Sequence, residues 1–489
     1  MENSNSETNI GRAGFVSRLD VKHEGREDQL ALILAKIKSV DLQVVRVGFV
    51  DAHGVTRMRP IEASHFAQAA RNGVPFSTAL LAMDSGNFIF KPVFSGDGGF
   101  GRREMGGAGD VLGVPDLSTF CVLPWADRTG WVLADLYLSS GEPCPYDPRG
   151  IMKRACAELA KRKMSYIGGI EVECHVFKVR DARLGLEFCD QPAAPPAVDA
   201  PAHAYQHMSE LVYDAQNPII EPLREMLTKI GLPLRTIESE LGPGQIEITL
   251  DPLPNLAAAD AMSLLRASVK QLARRSGFIA TFMAKPGLPN VFSSGWHLHQ
   301  SLGDLSNGRN LFASEDAVLS EVGLQFVGGV IENVGATTAF SNPTINGYKR
   351  LNANPLTPKR AVWSHDNRAA MCRVIGGAGE RSTHVENRSG EPAANPYLYM
   401  ASQIFAGLDG IDRGIDPGPP LDDPYAQTDK PSMPASLSDA TNALEKSKLL
   451  RNAMGDEFID YYIAMKRHEI GRFMSAVTDW EQREYFENF

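Results

Sequence analysis

The chain lacks any long apolar run. Met1 to about Gly25 is polar and charged, without the apolar core of a signal peptide, and no later stretch is long enough to span a bilayer. No membrane partner is expected. Cysteine is scarce: the six residues Cys121, Cys144, Cys156, Cys174, Cys189 and Cys372 show neither a CxxC spacing nor a disulfide framework. That usage suits a reducing, cytoplasmic setting. Positive charge is short as well, and a formal net charge of -10 argues against nucleic acid as the main partner. An acidic chain can still handle phosphates where it concentrates arginine or brings metal ions. What is present, 489 residues with 43% hydrophobic content, fills the cores of two or more domains.

The most informative stretch runs from Lys285-Pro286-Gly287 to Gly295-Trp296-His297-Leu298-His299-Gln300-Ser301. If extended, it points His297 and His299 to the same side. Alone, the pair reads more readily as two histidines satisfied within a sheet. Acids elsewhere change that. Glu171 and Glu173 alternate within a largely apolar run, so both leave one strand face, and charges on a buried face require cations. A Gly242-Pro243-Gly244 turn separates Glu240 from Glu247, and Glu386 precedes Arg388. Gathered together, Glu171, Glu173, Glu240, Glu247 and Glu386 cannot all stay ionised without divalent ions between them. Oxygen-rich ligation with an imidazole suits Mg²⁺ or Mn²⁺ better than zinc, and acids outnumbering imidazoles disfavour a zinc hydrolase built on the two histidines.

These blocks, in this order, resemble the catalytic domain of the glutamine synthetase family of γ-glutamyl ligases. The Asn342-Pro343-Thr344 to Arg350 run and Pro392-Ala393-Ala394-Asn395-Pro396-Tyr397 carry the same resemblance, which covers most of the chain from about Gly150 onward. It implies an α+β fold: an N-terminal β-grasp domain, then a curved antiparallel half-barrel sheet backed by helices. The expected divisions are a disordered tail over 1–26, the β-grasp domain over 27–145, and the catalytic domain over 146–489. The resemblance further implies a homo-oligomer, stacked hexameric rings forming a dodecamer, with sites shared between subunits.

By the same resemblance, Glu173, Glu240 and Glu247 hold one ion, and Glu171, His297 and Glu386 the other. Arg350 and Arg388, with Gly295, bind substrate glutamate, a planar fork matching a carboxylate. Arg368, also a catalytic candidate, and Arg373 take the transferred and leaving phosphates of ATP. His299 and Ser301 lie on the nucleotide side, as does His384, which stands where the family has an arginine. Asp84 corresponds to the aspartate that helps deprotonate the incoming amine in the neighbouring subunit, with a turn or capping aspartate as the plain reading. The chemistry implied is ATP-driven amide formation through a γ-glutamyl phosphate.

Departures from the family point to the amine. Leu356 falls where ammonia-using members carry a flap glutamate, and Phe292 where they carry an asparagine. Tyr205 lies near the family's amine-site tyrosine. An apolar side chain replacing an acid weakens a cation site and admits hydrocarbon. An organic primary amine is therefore expected, aromatic such as aniline or small alkyl. A glutamine synthetase using ammonia and a γ-glutamylpolyamine synthetase are the alternatives, and a polyamine pocket should carry extra acids. A catalytically silent structural relative is the reading from another class.

Local patterns complete the expectations. Helices are expected over Asp28–Ser39, Ala63–Asn72, Ile151–Arg162, Ala215–Ile230, Ala394–Gly410 and Asp456–Ser475, and a hairpin joins Leu42–Asp51 to Thr56–Arg59. The Gly- and aromatic-rich segment Phe88–Gly109 either shapes an amine pocket or is a surface loop. Trp480, Tyr485 and Phe486 suggest a docked C-terminus.

Overall fold

Strand alternation sets the first part of the fold. In a computed structural model, residues 14–19, 24–426 and 429–489 are described, and the chain forms two units. One comprises Met1–Asp51, Thr56–Leu81 and Lys91–Gly150; the other comprises Ala52–Val55, Ala82–Phe90 and Ile151–Phe489. The first is built on strands β1 (Val44–Val50), β2 (Thr56–Glu62), β3 (Val74–Ser77), β4 (Asp110–Pro115), β5 (Cys121–Val122) and β6 (Thr129–Tyr137). Their order is β2-β1-β6-β4-β3, with β5 on β6. β1 buries Val45, Val47 and Phe49 and pairs antiparallel with β2, the expected hairpin, while β1 and β6 run parallel. Helices α1 (Arg26–Ser39) and α2 (Phe66–Asn72) accompany this sheet.

Part of the segment expected to be a loose tail is packed. Phe15, Val16 and Leu19 are buried with Val114 and Tyr137, because these apolar residues share one side of a short turn. Residues 1–13 and 20–23 lie outside the described residues. Within 88–109, Val93, Phe100 and Met105 are buried in the first unit, and Phe100 packs on Tyr146 at 4.9 Å between ring centroids.

The second unit carries β7 (Met164–Asp181), β8 (Ala197–Asp199), β9 (Leu234–Ser239), β10 (Gln245–Pro254), β11 (Phe278–Thr281), β12 (Trp296–Asp304), β13 (Trp363–His365), β14 (Cys372–Ile375) and β15 (His384–Asn387). They form one nine-stranded sheet, order β13-β14-β15-β12-β7-β10-β9, with β8 and β11 on β7. All pairings are antiparallel except β13 with β14. The remaining helices are α3 (Pro148–Lys161), α4 (Glu210–Lys229), α5 (Leu256–Arg275), α6 (Glu321–Glu332), α7 (Val334–Ser341), α8 (Ile345–Ala353), α9 (Pro396–Arg413), α10 (Leu437–Lys446), α11 (Lys448–Met454), α12 (Asp456–Met474) and α13 (Asp479–Tyr485). None among the described residues is long and apolar enough to cross a membrane.

Helix α9 ties the sheet to the helical layer. Asn395 caps it by accepting from the backbone N–H groups of Tyr397 and Leu398, and Pro396 occupies the first turn, where a missing N–H costs nothing. Gln403 accepts from Asn387 Nδ2 at 2.8 Å and Gln300 Nε2 at 3.3 Å, linking α9 to β15 and β12. Tyr399 packs edge-on against Trp296 at 5.1 Å. At the C-terminus, α13 is closed by a capping box between Thr478 and Glu481, yet Trp480 and Phe486 remain 62% and 75% exposed. The docking expected of these aromatics does not occur within the described residues; the rings meet one another instead, Trp480 with Tyr485 at 5.6 Å and Tyr485 with Phe489 at 6.0 Å between centroids.

Helices α6 and α9 meet backbone to backbone. A Cβ on Gly329 would lie 2.0 Å from the Ala406 carbonyl oxygen, and one on Gly410 would lie 2.0 Å from that of Gln325. Helix propensity alone favours Gly410→Ala by about 1 kcal/mol. A clash with backbone has no rotamer to relieve it, so overpacking wins. Gly410→Ala is expected to lose about 2 kcal/mol of stability, read as a lower urea midpoint; a raised midpoint would contradict this packing.

Candidate active site

Register, more than sequence proximity, assembles the site. In the β7/β10 pairing Glu247 sits opposite Glu173, in β7/β12 His297 opposite Glu171, and in β12/β15 His299 opposite Glu386. Residues two apart on a strand share a face. Three adjacent pairings therefore bring Glu171, Glu173, Glu247, His297, His299 and Glu386 to one side of the sheet. His297 Nδ1 lies 2.6 Å from Glu171 Oε1 and 3.6 Å from Glu386 Oε1; its Nε2 lies 3.9 Å from Glu173 Oε1. His299 Nε2 lies 3.0 Å from Glu171 Oε2. Glu240 follows β9 in the turn, where its carboxylate accepts from the Leu241 N–H and approaches His207 Nδ1 at 3.6 Å.

Crowding polarises these acids. Burial pushes Glu173 up to about 8, against the pull of Arg350. Burial, then the charges of Glu171, Glu173 and Glu240, push Glu247 up to about 9. Glu240 is raised by burial too. Glu171 moves the other way: burial opposes its charge, but the hydrogen bonds to His297 and His299 hold it well below the usual range. Burial likewise opposes the charge on Glu386, and His297, Arg388 and His299 keep its carboxyl low.

The donor set fits divalent ions. Ligand atoms of Glu171, Glu247 and His297 lie within 4.8 Å of one another, as do those of Glu171, His299 and Glu386. Carboxylate oxygens with one imidazole each suit Mg²⁺ or Mn²⁺. The grouping differs from the sets implied by resemblance. Glu171 is common to both, while Glu173 and Glu240 stand outside them. Gln245 explains the first, donating from Nε2 to Glu173 Oε2 at 2.7 Å and to Ser293 O and Ser294 Oγ. Its Oε1 accepts from the Gly242 N–H at 2.9 Å. Gln245 was not among the sequence candidates, although it shares the strand face of Glu247 two residues on, and that spacing was the signal.

The arginines divide between clamp and counter-ion. Buried Arg350 donates to the carbonyl oxygens of Ser389, Gly390 and Arg388, and a Cβ on Gly295 would come 2.5 Å from its Nη2. Only glycine leaves that approach open. Arg388 Nη1 pairs with Glu386 Oε1, and its Nε is buried without a hydrogen-bond partner. Arg373 bridges Glu386, at 3.1 Å, and Asp366, at 2.5 Å. Arg368 is exposed in the turn between β13 and β14, and after Arg373 it helps hold the Asp366 carboxyl low.

A cavity of about 620 Å³ opens beside the acids, walled by Glu171, Glu247, His299, Ser301, His384 and Arg381 among others. Its size suits a small-molecule ligand. Of the amine-end candidates, Tyr205 and Phe292 belong to or touch loop 290–293, and Leu356 lies two residues beyond a contact with it. Tyr205 OH donates to the Asn290 carbonyl oxygen at 2.7 Å, Phe292 lies against Gly242, and Asn354, two residues before exposed Leu356, donates to Ser293 Oγ at 2.6 Å. Asp84 is not brought to this cluster. It is buried, accepts from the Gly86 and Phe88 N–H groups at 2.9 Å each, and pairs with Arg472, so within this chain it closes its own loop.

Comparison with known proteins agrees with this geometry. The family model described as glutamine synthetase, catalytic domain, matches residues 145–485. The chain is 41% identical to a γ-glutamylanilide synthase of Acinetobacter sp, over 96% of this chain and 98% of that protein. It is 31% identical to a glutamate–isopropylamine ligase of Pseudomonas sp, over 95% and 99%. A solved structure described as a GmaS/ADP complex superposes with a TM-score of 0.79 at 28% identity, covering 93% of this chain and 99% of that one.

The raised carboxyls make a signed prediction. At pH 7, Glu173 and Glu247 hold protons that divalent ions must displace. Mn²⁺ uptake should release protons and tighten as pH rises from about 7 to 9. In the metal-free protein, carboxyls raised from 4.5 to about 8 and about 9 contribute stability below pH 4.5 that is lost as pH climbs through the raised values. Calorimetry in buffers of different ionisation enthalpy reads the release, and uptake with no proton released at pH 7 would contradict this electrostatic picture.

Proposed function

The chain belongs to the glutamine synthetase family, and from that premise we propose that it joins the γ-carboxylate of glutamate to an organic primary amine, aromatic or small alkyl, with ATP cleaved to ADP and phosphate. It is an ATP-dependent glutamate–amine ligase; the choice of amine is the new element. A γ-carboxylate oxygen attacks the γ-phosphorus as the bond to ADP breaks. The resulting γ-glutamyl phosphate has a good leaving group. The amine lone pair then attacks the carbonyl carbon, phosphate departs, and the nitrogen loses a proton. Bound divalent ions supply charge neutralisation of the triphosphate.

The chain's own residues do the rest. Arg388 and Arg350 are assigned to the carboxylates of glutamate, a reading supported by the unpartnered buried Nε of Arg388 and the packing of Arg350 on Gly295. Arg373 and Arg368 are assigned to phosphate oxygens, as the family resemblance implies. His299, Ser301 and His384, which wall the cavity, are assigned to the nucleotide side. Glu171, Glu173, Glu240, Glu247, His297 and Glu386 are assigned to the metal ions. A fixed array of this kind lowers the barrier by orientation and by electrostatic complementarity to the phosphoryl group.

What supports the amine choice is that Phe292 and Leu356 are apolar where ammonia-using members carry an asparagine and a glutamate, and that Tyr205, near the family's amine-site tyrosine, hydrogen-bonds the Asn290 carbonyl. An ammonium site wants an anion, and a polyamine site several. A homo-oligomer with sites completed between subunits belongs to the same proposal, as does Asp84 acting in a neighbour's site; exposed Trp480 and Phe486 supply apolar surface for assembly. The six free cysteines support a cytoplasmic setting.

Purified protein given ATP, Mg²⁺ and glutamate should release phosphate with aniline or a small alkylamine at a kcat/KM at least about tenfold above that with ammonium. Leu356→Glu should shift this preference toward ammonium by a further factor of about ten. Equal or better turnover with ammonium in the wild type would make the protein a glutamine synthetase with an altered flap.

A further inference from the structure

Arg350, the buried guanidinium assigned to glutamate, rides on helix α8. Three carbonyl oxygens aim it: Nη1 donates to Ser389 at 3.1 Å and Gly390 at 3.2 Å, and Nη2 donates to Arg388 at 3.3 Å. Its aim therefore depends on where the helix stands relative to segment 388–391.

The start of α8 is tied to the same segment. Fully buried Glu391 accepts from the Thr344 N–H through Oε1 and from the Thr344 hydroxyl through Oε2, at 2.8 Å each. Thr344 Oγ1 in turn accepts from the Gly347 N–H at 3.0 Å and so caps the helix. The Glu391 N–H donates to the Ser341 carbonyl oxygen at 2.9 Å, and Asn342 Nδ2 donates to that of Ser389 at 3.0 Å. Residues 388–391 thus grip α8 at its cap and again at Arg350, about 9 Å further along the axis at 1.5 Å per residue.

The cap calls for a carboxylate. Thr344 turns two donors, N–H and O–H, toward one side chain, while its own oxygen already serves Gly347. An amide there would offer one acceptor oxygen and set an NH₂ group against a donor. A Cβ on Gly347 would lie 2.7 Å from Glu391 Oε2, so the glycine leaves the acid its place beside the first turn. Negative charge also suits a helix N-terminus. Burial pushes the Glu391 carboxyl up to about 7, against the two Thr344 hydrogen bonds and the charges of Lys466 and Arg350. Above that value the ionised form prevails.

We propose that Glu391 is a positioning residue for substrate glutamate: through Thr344 it fixes α8 against segment 388–391 and so holds the Arg350 guanidinium in register for a carboxylate. A helix transmits movement of its cap along its axis. A planar fork needs both of its bonds aligned, and a 1 Å misplacement can cost about 100-fold. The assignment rests on the reading of Arg350 as a glutamate ligand.

Steady-state kinetics of the full-length protein test it at about pH 8, above the Glu391 value, with ATP, Mg²⁺ and whichever of aniline, isopropylamine or ammonium is turned over fastest. Glu391→Gln should raise the KM for glutamate about tenfold or more while the KM for ATP stays within about twofold. Thr344→Val, which removes the hydroxyl at nearly constant shape, should do the same, and Thr344→Ser, which keeps it, should restore most of the loss. Arg350→Lys should raise the glutamate KM by itself, and adding Glu391→Gln to it should cost no more than about a further twofold, because both act through one guanidinium. Should Glu391→Gln not fold, the Thr344 pair carries the comparison. Glutamate and ATP KM values rising together, or a lower urea midpoint with an unchanged glutamate KM, would overturn the proposal and leave Glu391 a cap that serves stability alone. An unchanged glutamate KM in Arg350→Lys, or no glutamate-dependent turnover in the wild type, would remove the reading of Arg350 and this assignment with it.

Discussion

Mutual repulsion among carboxylates on one sheet face is the constraint to which the rest of the second unit answers. Strand pairing fixes Glu171, Glu173, Glu247 and Glu386 on that face, and no side-chain rotation can carry them far apart. The protein manages the charge in two ways. On one side Glu171 and Glu386 stay ionised against His297, His299, Arg373 and Arg388. On the other, Glu173 and Glu247 are driven toward their neutral forms. An arrangement so poised has a high appetite for divalent cations, which can ionise the second group while relieving the first.

The surrounding packing serves that geometry. Gln245 holds Glu173, the loop before β12 and the Gly242 turn, so three segments of the site share one amide. Behind the sheet, Gln403 on α9 holds β12 and β15 together, and α9 is itself pressed onto α6 through glycines that admit backbone contact. A site whose donor atoms must keep their spacing to within fractions of an ångström gains from such support.

Much of this was legible in the sequence because it rests on period and spacing. Alternation revealed the β1–β2 hairpin and the shared face of Glu171 with Glu173, and 3.6-residue periodicity revealed α1. Helix α4 was expected from Ala215 but begins at Glu210; its buried stripe starts at Val212, and polar Gln216 in that stripe breaks the apolar pattern that leads back to it. Other features need three-dimensional partners. Glycines at 329, 407 and 410 lower intrinsic helix propensity, and only the setting of α6 against α9 gives them a reason. The segment before Gly25 was read as a polar tail, and only the presence of Val114 and Tyr137 gives its Phe15, Val16 and Leu19 a core. The His299–His384 contact joins residues 85 positions apart and depends on the β12/β15 register, which no local pattern reveals.

The account's central claim is that this sheet face is an ion-binding face. Crystals of the protein grown with Mn²⁺ and examined by anomalous diffraction test it most directly. The expected result is two anomalous peaks on the β10-β7-β12-β15 face, each within about 2.5 Å of carboxylate oxygen. Peaks elsewhere, or none at saturating Mn²⁺, would contradict it.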